Sequence, residues 1–544
     1  MRQEIIISLI AGLIVSLGLY WLAPVLWWLP CIAALLLAVA CFDIFQRRHS
    51  LLVNFPLIGR LRWIIEDFRP FFQQYLLETE TSGRPISRMF RSIVYQRAKG
   101  SLDSVPFGTQ IDTYKSGYEW IGHSLSALSV EDMDDDPRVT IGGPDCKKPY
   151  SASILNVSAM SFGSLSKNAV LALNKGASLG GFYQNTGEGG LTPYHLENGG
   201  DIVWQIGTGY FGCRNKDGSF NELAFTEKAC HPAVKMIEIK LSQGAKPGHG
   251  GILPAHKNSP EIAEIRGVTA GEDVISPPTH STFSTPVEML RFIQRLRKLS
   301  EGKPIGIKLA LGRKSEFLAV CKAMRQTGIT PDFITVDGGE GGTGAAPLEY
   351  SNSIGFPLRE ALAFIDDALT GFDLRDKIKI IASGKIITAF QIVKTLSLGA
   401  DLCNSARGMM LALGCVQSLS CNTNRCPTGV ATQDPKLYKG LDVENKSTRV
   451  ATFHHKTVKA MVDILSSTGH SSADQLNRTH IFRRVDQHTV MRYDEVFPIV
   501  KRGSFINQDE APKCYQLHLK EACASSFKPA NTLAEVNKET QSVS

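Results

Sequence analysis

The sequence lacks several things, and each absence narrows what it encodes. No concentrated basic stripe is present: 59 Lys+Arg stand against 52 Asp+Glu over 544 residues, and the net charge of +7 is scattered along the chain. A nucleic-acid-binding protein would gather that charge on one face. Cysteine is scarce at 12 residues, about 2%, too few and too unevenly spread for a disulfide framework. With 43% hydrophobic and 20% charged residues the chain can bury a full core, so wholesale disorder and collagen are excluded. What remains is a large globular protein of a reducing compartment, with the size of an enzyme.

Charge is missing altogether from Ile5 to Phe42, a stretch of 38 residues. One helix of that length would run about 57 Å at ~1.5 Å per residue, against a hydrocarbon core of ~30 Å. Two spans fit, with the break among Tyr20, Trp21, Pro24, Trp27, Trp28 and Pro30. Prolines interrupt helices there and aromatics suit the interface. Arg2 flanks one end, Arg47 and Arg48 the other. Positive residues stay cytoplasmic, so residues 1–45 are expected to form a transmembrane hairpin with the catalytic domain on the cytoplasmic side. A cleaved signal peptide, or a lipoprotein signal ending at Cys41, would need a far shorter apolar core.

Residues 46–150 read as an irregular flanking segment. From 151 the pattern changes to short apolar runs alternating with helical ones. Eight runs read as strands, at 154–160, 182–186, 236–241, 273–275, 305–309, 333–336, 379–382 and 401–404. Parallel strands with crossover helices in this number predict an α/β fold, a (β/α)8 TIM-type barrel over 151–435. A doubly wound sheet is the alternative. Residues 436–525 read as a helical segment, and 526–544 as a polar, disordered tail.

In a barrel the chemistry sits where strands end. After the first run come Met160, Ser161 and Gly163, small residues that let a flat ring approach the backbone. The second ends in Asn185-Thr186-Gly187-Glu188-Gly189-Gly190, a carboxylate among small neighbours. Lys240 and Lys246 follow the next run, the second in a Gly/Pro loop, where they suit an acidic small molecule. Solvated surface lysines are the bland reading. Lys308 lies inside an apolar strand and needs an anionic partner. Ser383-Gly384-Lys385 and Ser405-Ala406-Arg407-Gly408 offer amides and cations at the last two strands, the usual phosphate site of such barrels. Together the loops point to a phosphate-bearing planar cofactor. Cys415-x5-Cys421-x4-Cys426-Pro427 is sharper. No fourth cysteine or histidine lies close by in sequence for zinc, and three thiolates suit an iron–sulfur cluster with one corner unligated. Buried structural cysteines are the bland reading.

These motifs, in this order, make residues 151–435 resemble the FMN-binding synthase domain of the glutamate synthase family. The matching stretches begin at Ser158-Ala159-Met160-Ser161-Phe162-Gly163, Asn185-Thr186-Gly187-Glu188, Gln243-Gly244-Ala245-Lys246-Pro247-Gly248 and Ile275-Ser276-Pro277-Pro278, and end in the cysteine stretch through Asp434. The resemblance implies FMN, a [3Fe–4S] cluster on Cys415, Cys421 and Cys426, and substrate contacts at Glu188, Lys240, Lys246 and Arg266. It implies reductive amination of 2-oxoglutarate to glutamate. Ammonia or another amine is the nitrogen source, and a partner electron-donor protein feeds the cluster, since no second dinucleotide-binding fingerprint is present. Lys308 would stabilise the reduced flavin's negative edge, and Met160, Ser161, Gly384, Lys385, Arg407 and Gly408 would hold the cofactor. The chain departs from the family in opening on the apolar hairpin instead of a glutaminase domain, and in having Ile252 where the family has glutamine. A membrane electron-transfer subunit and an amine-transferring variant on another keto acid are the alternatives.

Overall fold

The structure, a computed structural model, describes residues 2–46 and 48–530. Arg47 and all of the expected tail beyond residue 530 lie outside the described residues. The chain forms two compact units, Met1–Arg88 and Met89–Ser544.

In the first unit, helix α1 (Arg2–Leu22) and helix α2 (Trp28–Phe45) are joined by a single 3-10 turn, Pro24–Leu26. The chain breaks where expected: Ala23 is extended and Pro24 opens the turn, a position that needs no backbone N–H. Gln3–Leu22 and Pro24–Phe45 each have mean hydropathy 2.4 and are long enough to cross a bilayer. Helix α3 (Arg60–Phe72) follows.

The second unit is built on a closed, all-parallel, eight-stranded barrel. Its strands are β1 (Leu155–Val157), β2 (Tyr183–Asn185), β3 (Asp201–Ile206), β4 (Val234–Lys240), β5 (Ile305–Leu309), β6 (Phe333–Asp337), β7 (Lys379–Ser383) and β8 (Leu402–Ser405). The TIM-type reading stands, with one strand corrected. The run at 273–275 is not in the barrel: Val274–Ile275 pairs antiparallel with Ile252–Leu253 in a small hairpin beyond β4. The missing strand is β3, a mostly apolar run (Asp-Ile-Val-Trp-Gln-Ile) buried along nearly its whole length. Only the four-residue helix Pro193–Leu196 separates β2 from β3. A reading that waits for a full crossover helix therefore passes over it.

Alternation along the strands sorts the residues. Ile237, Ile239, Ile307, Ile334 and Val336 are fully buried positions of the apolar wall. The intervening positions are polar. Glu238 accepts from Asn185 Nδ2 at 2.9 Å, Gln205 Nε2 at 2.6 Å and Thr335 Oγ1 at 2.5 Å. Tyr183 donates its hydroxyl to Asn404 at 2.6 Å. Long helix Val443–Ser467 packs along helix Lys167–Gly180, and its His454 Nε2 stands 2.9 Å from the Leu155 carbonyl in β1. Burial holds that imidazole neutral, with a pKa lowered to about 3.

At the N-terminal end of the barrel Asp332 ties three elements together. It accepts from the amides of Ile305 and Gly143 at 2.7 Å each, and from Arg297 at 3.0 Å. Removing the carboxylate leaves Arg297, itself 5% exposed, without its buried partner. Asp332→Ala is expected to cost roughly 3–5 kcal/mol. The checking measurement is the urea midpoint, which should fall at unchanged slope while the glycine-loop end of the barrel keeps its ligand affinity.

Candidate functional site

At the opposite end the loops after β1, β2, β4, β6 and β8 meet around a cavity of about 140 Å3. Met160, Ser161, Glu188, Lys240, Lys246, Lys308, Arg407 and Cys421 all line it, beside Gln205 and Asp337. Residues from seven separate stretches of sequence thus converge where a barrel carries its chemistry.

The approach of the loops depends on glycine at two points. Gly187 has φ +63°, and a Cβ there would come within 2.7 Å of Ser161 N. A Cβ at Gly244 would lie 1.9 Å from the Gly338 carbonyl oxygen, so the loops after β4 and β6 touch backbone to backbone.

Charge is concentrated beneath them. Lys240 of β4 and Lys308 of β5 are neighbours in register. Lys240 Nζ is 2.8 Å from Glu188 Oε1, and Lys308 Nζ is 3.3 Å from Asp337 Oδ2. Asp337 is fixed in turn by the Gly244 amide at 2.9 Å. Burial by itself would raise the Glu188 pKa, but Lys240, Arg266 and Lys246 together bring it below the ordinary carboxylate value of 4.5. Burial would likewise lower Lys308, and Asp337, Glu238 and Glu188 more than offset that, so it stays protonated. Lys246 is 1% exposed. Burial lowers its pKa, with Lys240 adding to the effect and Glu188 opposing it. Among the described residues its ammonium makes no ion pair or hydrogen bond. The cations Lys240, Lys246, Lys308 and Arg407 outnumber Glu188, Glu238 and Asp337.

The remaining candidates sit around this centre. Arg266 does not line the cavity. It is buried behind the loop after β1, donating Nη2 to the Phe162 carbonyl at 3.0 Å with its guanidinium 5.2 Å over the Phe211 ring. It reaches Glu188 through charge alone, and burial lowers its pKa to about 10. Gly384 and Lys385 line an adjoining pocket of about 200 Å3 with Glu340 and Gln391. Gly408 lies in helix Arg407–Leu413, close against Phe453. Ile252 is on the cavity wall.

Cys421 reaches the cavity, while Cys415 and Cys426 stand behind it within electrostatic range of one another. Among the described residues no three Cys, His, Asp or Glu side chains converge on one metal ion, which is not the geometry of a mononuclear zinc site. Three sulfurs in one loop are the donor set an iron–sulfur cluster takes, but only Cys426 is disposed to ionise by its surroundings. Burial raises Cys415 to about 11 and also raises Cys421, whereas Cys426 is lowered because the amides of Ala431, Thr428 and Val430 and the Thr428 hydroxyl outweigh its burial. Lys257, which the sequence reading missed, donates Nζ to the carbonyls of Cys421 at 2.7 Å and Ala431 at 3.0 Å. It lies in a short 3-10 turn directly after the two-residue strand Ile252–Leu253, with no local pattern to mark it. Gln205 and Glu238 were missed as well, the first because its strand was.

The Lys240–Glu188 pair sets a pH dependence. Glu188 has a depressed pKa in the folded state, so the pair stabilises above about pH 4.5 and its contribution is lost as pH falls through the folded value. Lys240→Met should destabilise by roughly 3–5 kcal/mol at pH 7. That deficit should shrink as pH approaches 4, since the stranded Glu188 then protonates. Urea unfolding of both proteins across this range checks it; a deficit constant with pH would count against the pair.

Residues 119–471 match the family described as the conserved region in glutamate synthase. The chain is 38% identical over 491 residues to the glutamate synthase large subunit-like protein YerD of Bacillus subtilis, covering 83% of this chain and 93% of that one. It is 31% identical over 418 residues to the archaeal-type glutamate synthase (NADPH) of Thermotoga maritima, covering 76% and 78%. The archaeal glutamate synthase (NADPH) of Methanocaldococcus jannaschii is 34% identical over 321 residues, 59% of this chain and 60% of that one. With a family match over most of its length and a relative aligned nearly end to end, the chain belongs to the glutamate synthase family of oxidoreductases.

Proposed function

We propose that the chain reductively aminates 2-oxoglutarate to L-glutamate at the barrel mouth, with FMN and a [3Fe–4S] cluster as its redox groups. The observation that carries this reading is Lys246: a buried, unpaired ammonium lining a cavity beside an ionised carboxylate. A buried cation without a partner is costly unless a ligand supplies the anion. A keto dicarboxylate supplies it.

The family membership and the loop chemistry support FMN. Met160, Ser161 and the glycines after β6 would accommodate the ring, Lys308 its anionic edge, and Arg407, Gly408, Gly384 and Lys385 the phosphate. Cys415, Cys421 and Cys426 would hold the cluster. The chemistry these groups supply when bound is one-electron entry through the cluster and hydride delivery from the flavin to an imine carbon.

The chain's own residues do the rest. Lys246, with Lys240 beside it, orients the carboxylates of 2-oxoglutarate and neutralises their charge. Arg266 adds positive potential from behind the loop. Glu188, ionised above pH 4.5, faces the nitrogen as ammonia condenses with the keto group. It moves protons from the attacking nitrogen to the oxygen that leaves as water and, ionised again once the water has gone, stabilises the positively charged iminium. Asp337 is a positioning residue: fixed by the Gly244 amide, it holds Lys308 in place through their ion pair. The apolar hairpin α1–α2 would anchor this site to a membrane, on the cytoplasmic side, within reach of a separate electron-donor protein.

The test is to reduce the purified flavoprotein with dithionite, then add 2-oxoglutarate and ammonium. Flavin reoxidation with stoichiometric glutamate is expected, and Lys246→Met should slow it by an amount equivalent to roughly 2–5 kcal/mol. That variant should impair a monocarboxylic keto acid far less. A flavin that stays reduced would favour an electron-transfer role without glutamate synthesis.

The cluster assignment has its own check. Cys421→Ser should abolish the brown iron–sulfur absorbance while substantial FMN stays bound. Unchanged iron content would remove Cys421 from the ligand set.

A further inference from the structure

Helix α3 (Arg60–Phe72) contains no buried residue. Its apolar side chains are nonetheless sorted. At ~100° per residue, Leu61, Ile64, Ile65, Phe68, Phe71 and Phe72 occupy an arc of roughly 120°, with Arg69, Arg62 and Glu66 beyond one edge of it and Trp63, 38% exposed, on the far side against His49. Those six apolar side chains are 50–63% exposed. The next turn extends the patch: Tyr75, Leu76 and Leu77 are 58–71% exposed. A short helix is not held by propensity alone, and this one also carries Pro70 within it. An apolar face this continuous marks an interaction surface.

The occupant is indicated by what the helix is tied to. Asp43, fully buried in the last turn of α2, accepts from the Leu57 amide at 3.0 Å and from Arg60 Nε at 2.9 Å. The first residue of α3 is thereby pinned to the end of the second apolar helix. If that helix spans a bilayer, α3 begins at the bilayer surface. We propose that α3 and the turn after it lie in the plane of the membrane interface, a second anchor beside the hairpin, with the apolar arc at the acyl boundary and Arg62 and Arg69 at the level of the lipid phosphates. Large apolar and aromatic side chains opposite charged ones are the composition such helices use. The proposal rests on the reading of α1–α2 as a membrane hairpin, and it fixes the entry of the chain parallel to the membrane instead of leaving residues 46–88 a free tether.

The full-length protein is reconstituted into vesicles of phosphatidylethanolamine and phosphatidylglycerol that carry a trace of photoactivatable phospholipid. One preparation has the diazirine near the acyl carbonyl, another at the acyl end, and adducts are located by peptide mass spectrometry. The shallow probe should label the peptides holding Ile64, Phe68 and Phe72, and the deep probe residues 5–42 only. Ile65→Glu with Phe68→Glu should abolish the α3 adducts and leave the hairpin's intact. A labelled hairpin with an unlabelled α3 overturns the proposal while the hairpin stands. Adducts on neither overturn both. If α3 carries no lipid adducts but a bifunctional carboxylate-reactive cross-linker joins two chains next to it, the face is a protein interface instead, and this would equally overturn the proposal.

Discussion

Two lysines side by side in a parallel sheet are the constraint on which the barrel mouth is built. Lys240 and Lys308 are register neighbours in β4 and β5, both nearly buried. Two ammonium groups so placed repel each other and have lost most of their hydration. Each is compensated from a different direction, Lys240 by Glu188 from the loop after β2 and Lys308 by Asp337 at the end of β6. The loops are therefore held to the strands by charge as well as packing. Gly244 is required where it is because its bare Cα lets the Gly338 carbonyl pass, which brings its amide to Asp337. Once these pairs are made, Lys246 is left over, and that surplus is what a ligand would neutralise.

The cysteine loop is locked into the same arrangement. Gln433 donates to the carbonyls of Gly163 and Leu165, at 3.0 and 2.8 Å, and the Ser166 amide donates to Val430. Lys257 and His256 hold it from the other side through Cys421, Ala431 and Asn422 carbonyls. The loop after β8 thus returns across the mouth and is fastened to the loop after β1, which brings the Cys421 thiol to a cavity wall shared with Glu188 and Lys308. The proposed electron entry and the proposed hydride chemistry would then share one enclosure.

Much of this was legible because each strand-end residue sits inside a short, distinctive local pattern. A lysine in Ile-Gly-Ile-Lys-Leu demands a partner, and a glutamate between glycines is exposed to the barrel mouth wherever the fold puts it. What sequence could not show was partnership over distance. Asp337 lies 29 residues from Lys308, and nothing local marks it as the counter-ion. Arg266 has the residue type of a substrate ligand, but its helix faces the back of the loop after β1, where Phe162 and Phe211 cover it. β3 was overlooked because the link before it is too short to look like a crossover, and Val274–Ile275 took its place because two β-branched residues are enough to resemble a strand.

The two ends of the barrel differ in charge balance more than in volume. The N-terminal end has a cavity of about 630 Å3, several times the enclosed space at the loop end. Every lysine and arginine lining it has a carboxylate partner. Arg138 pairs with Asp136, Arg375 with Asp366 and Asp401, Lys379 with Asp401, and Arg478 with Asp366 and Asp367. Such a network is complete without a ligand, and an anion entering it would have to displace a carboxylate already in place. At the loop end the balance is open. The smaller space is the one with uncompensated charge to offer an anionic ligand, and charge left unsatisfied marks a site better than the volume it encloses.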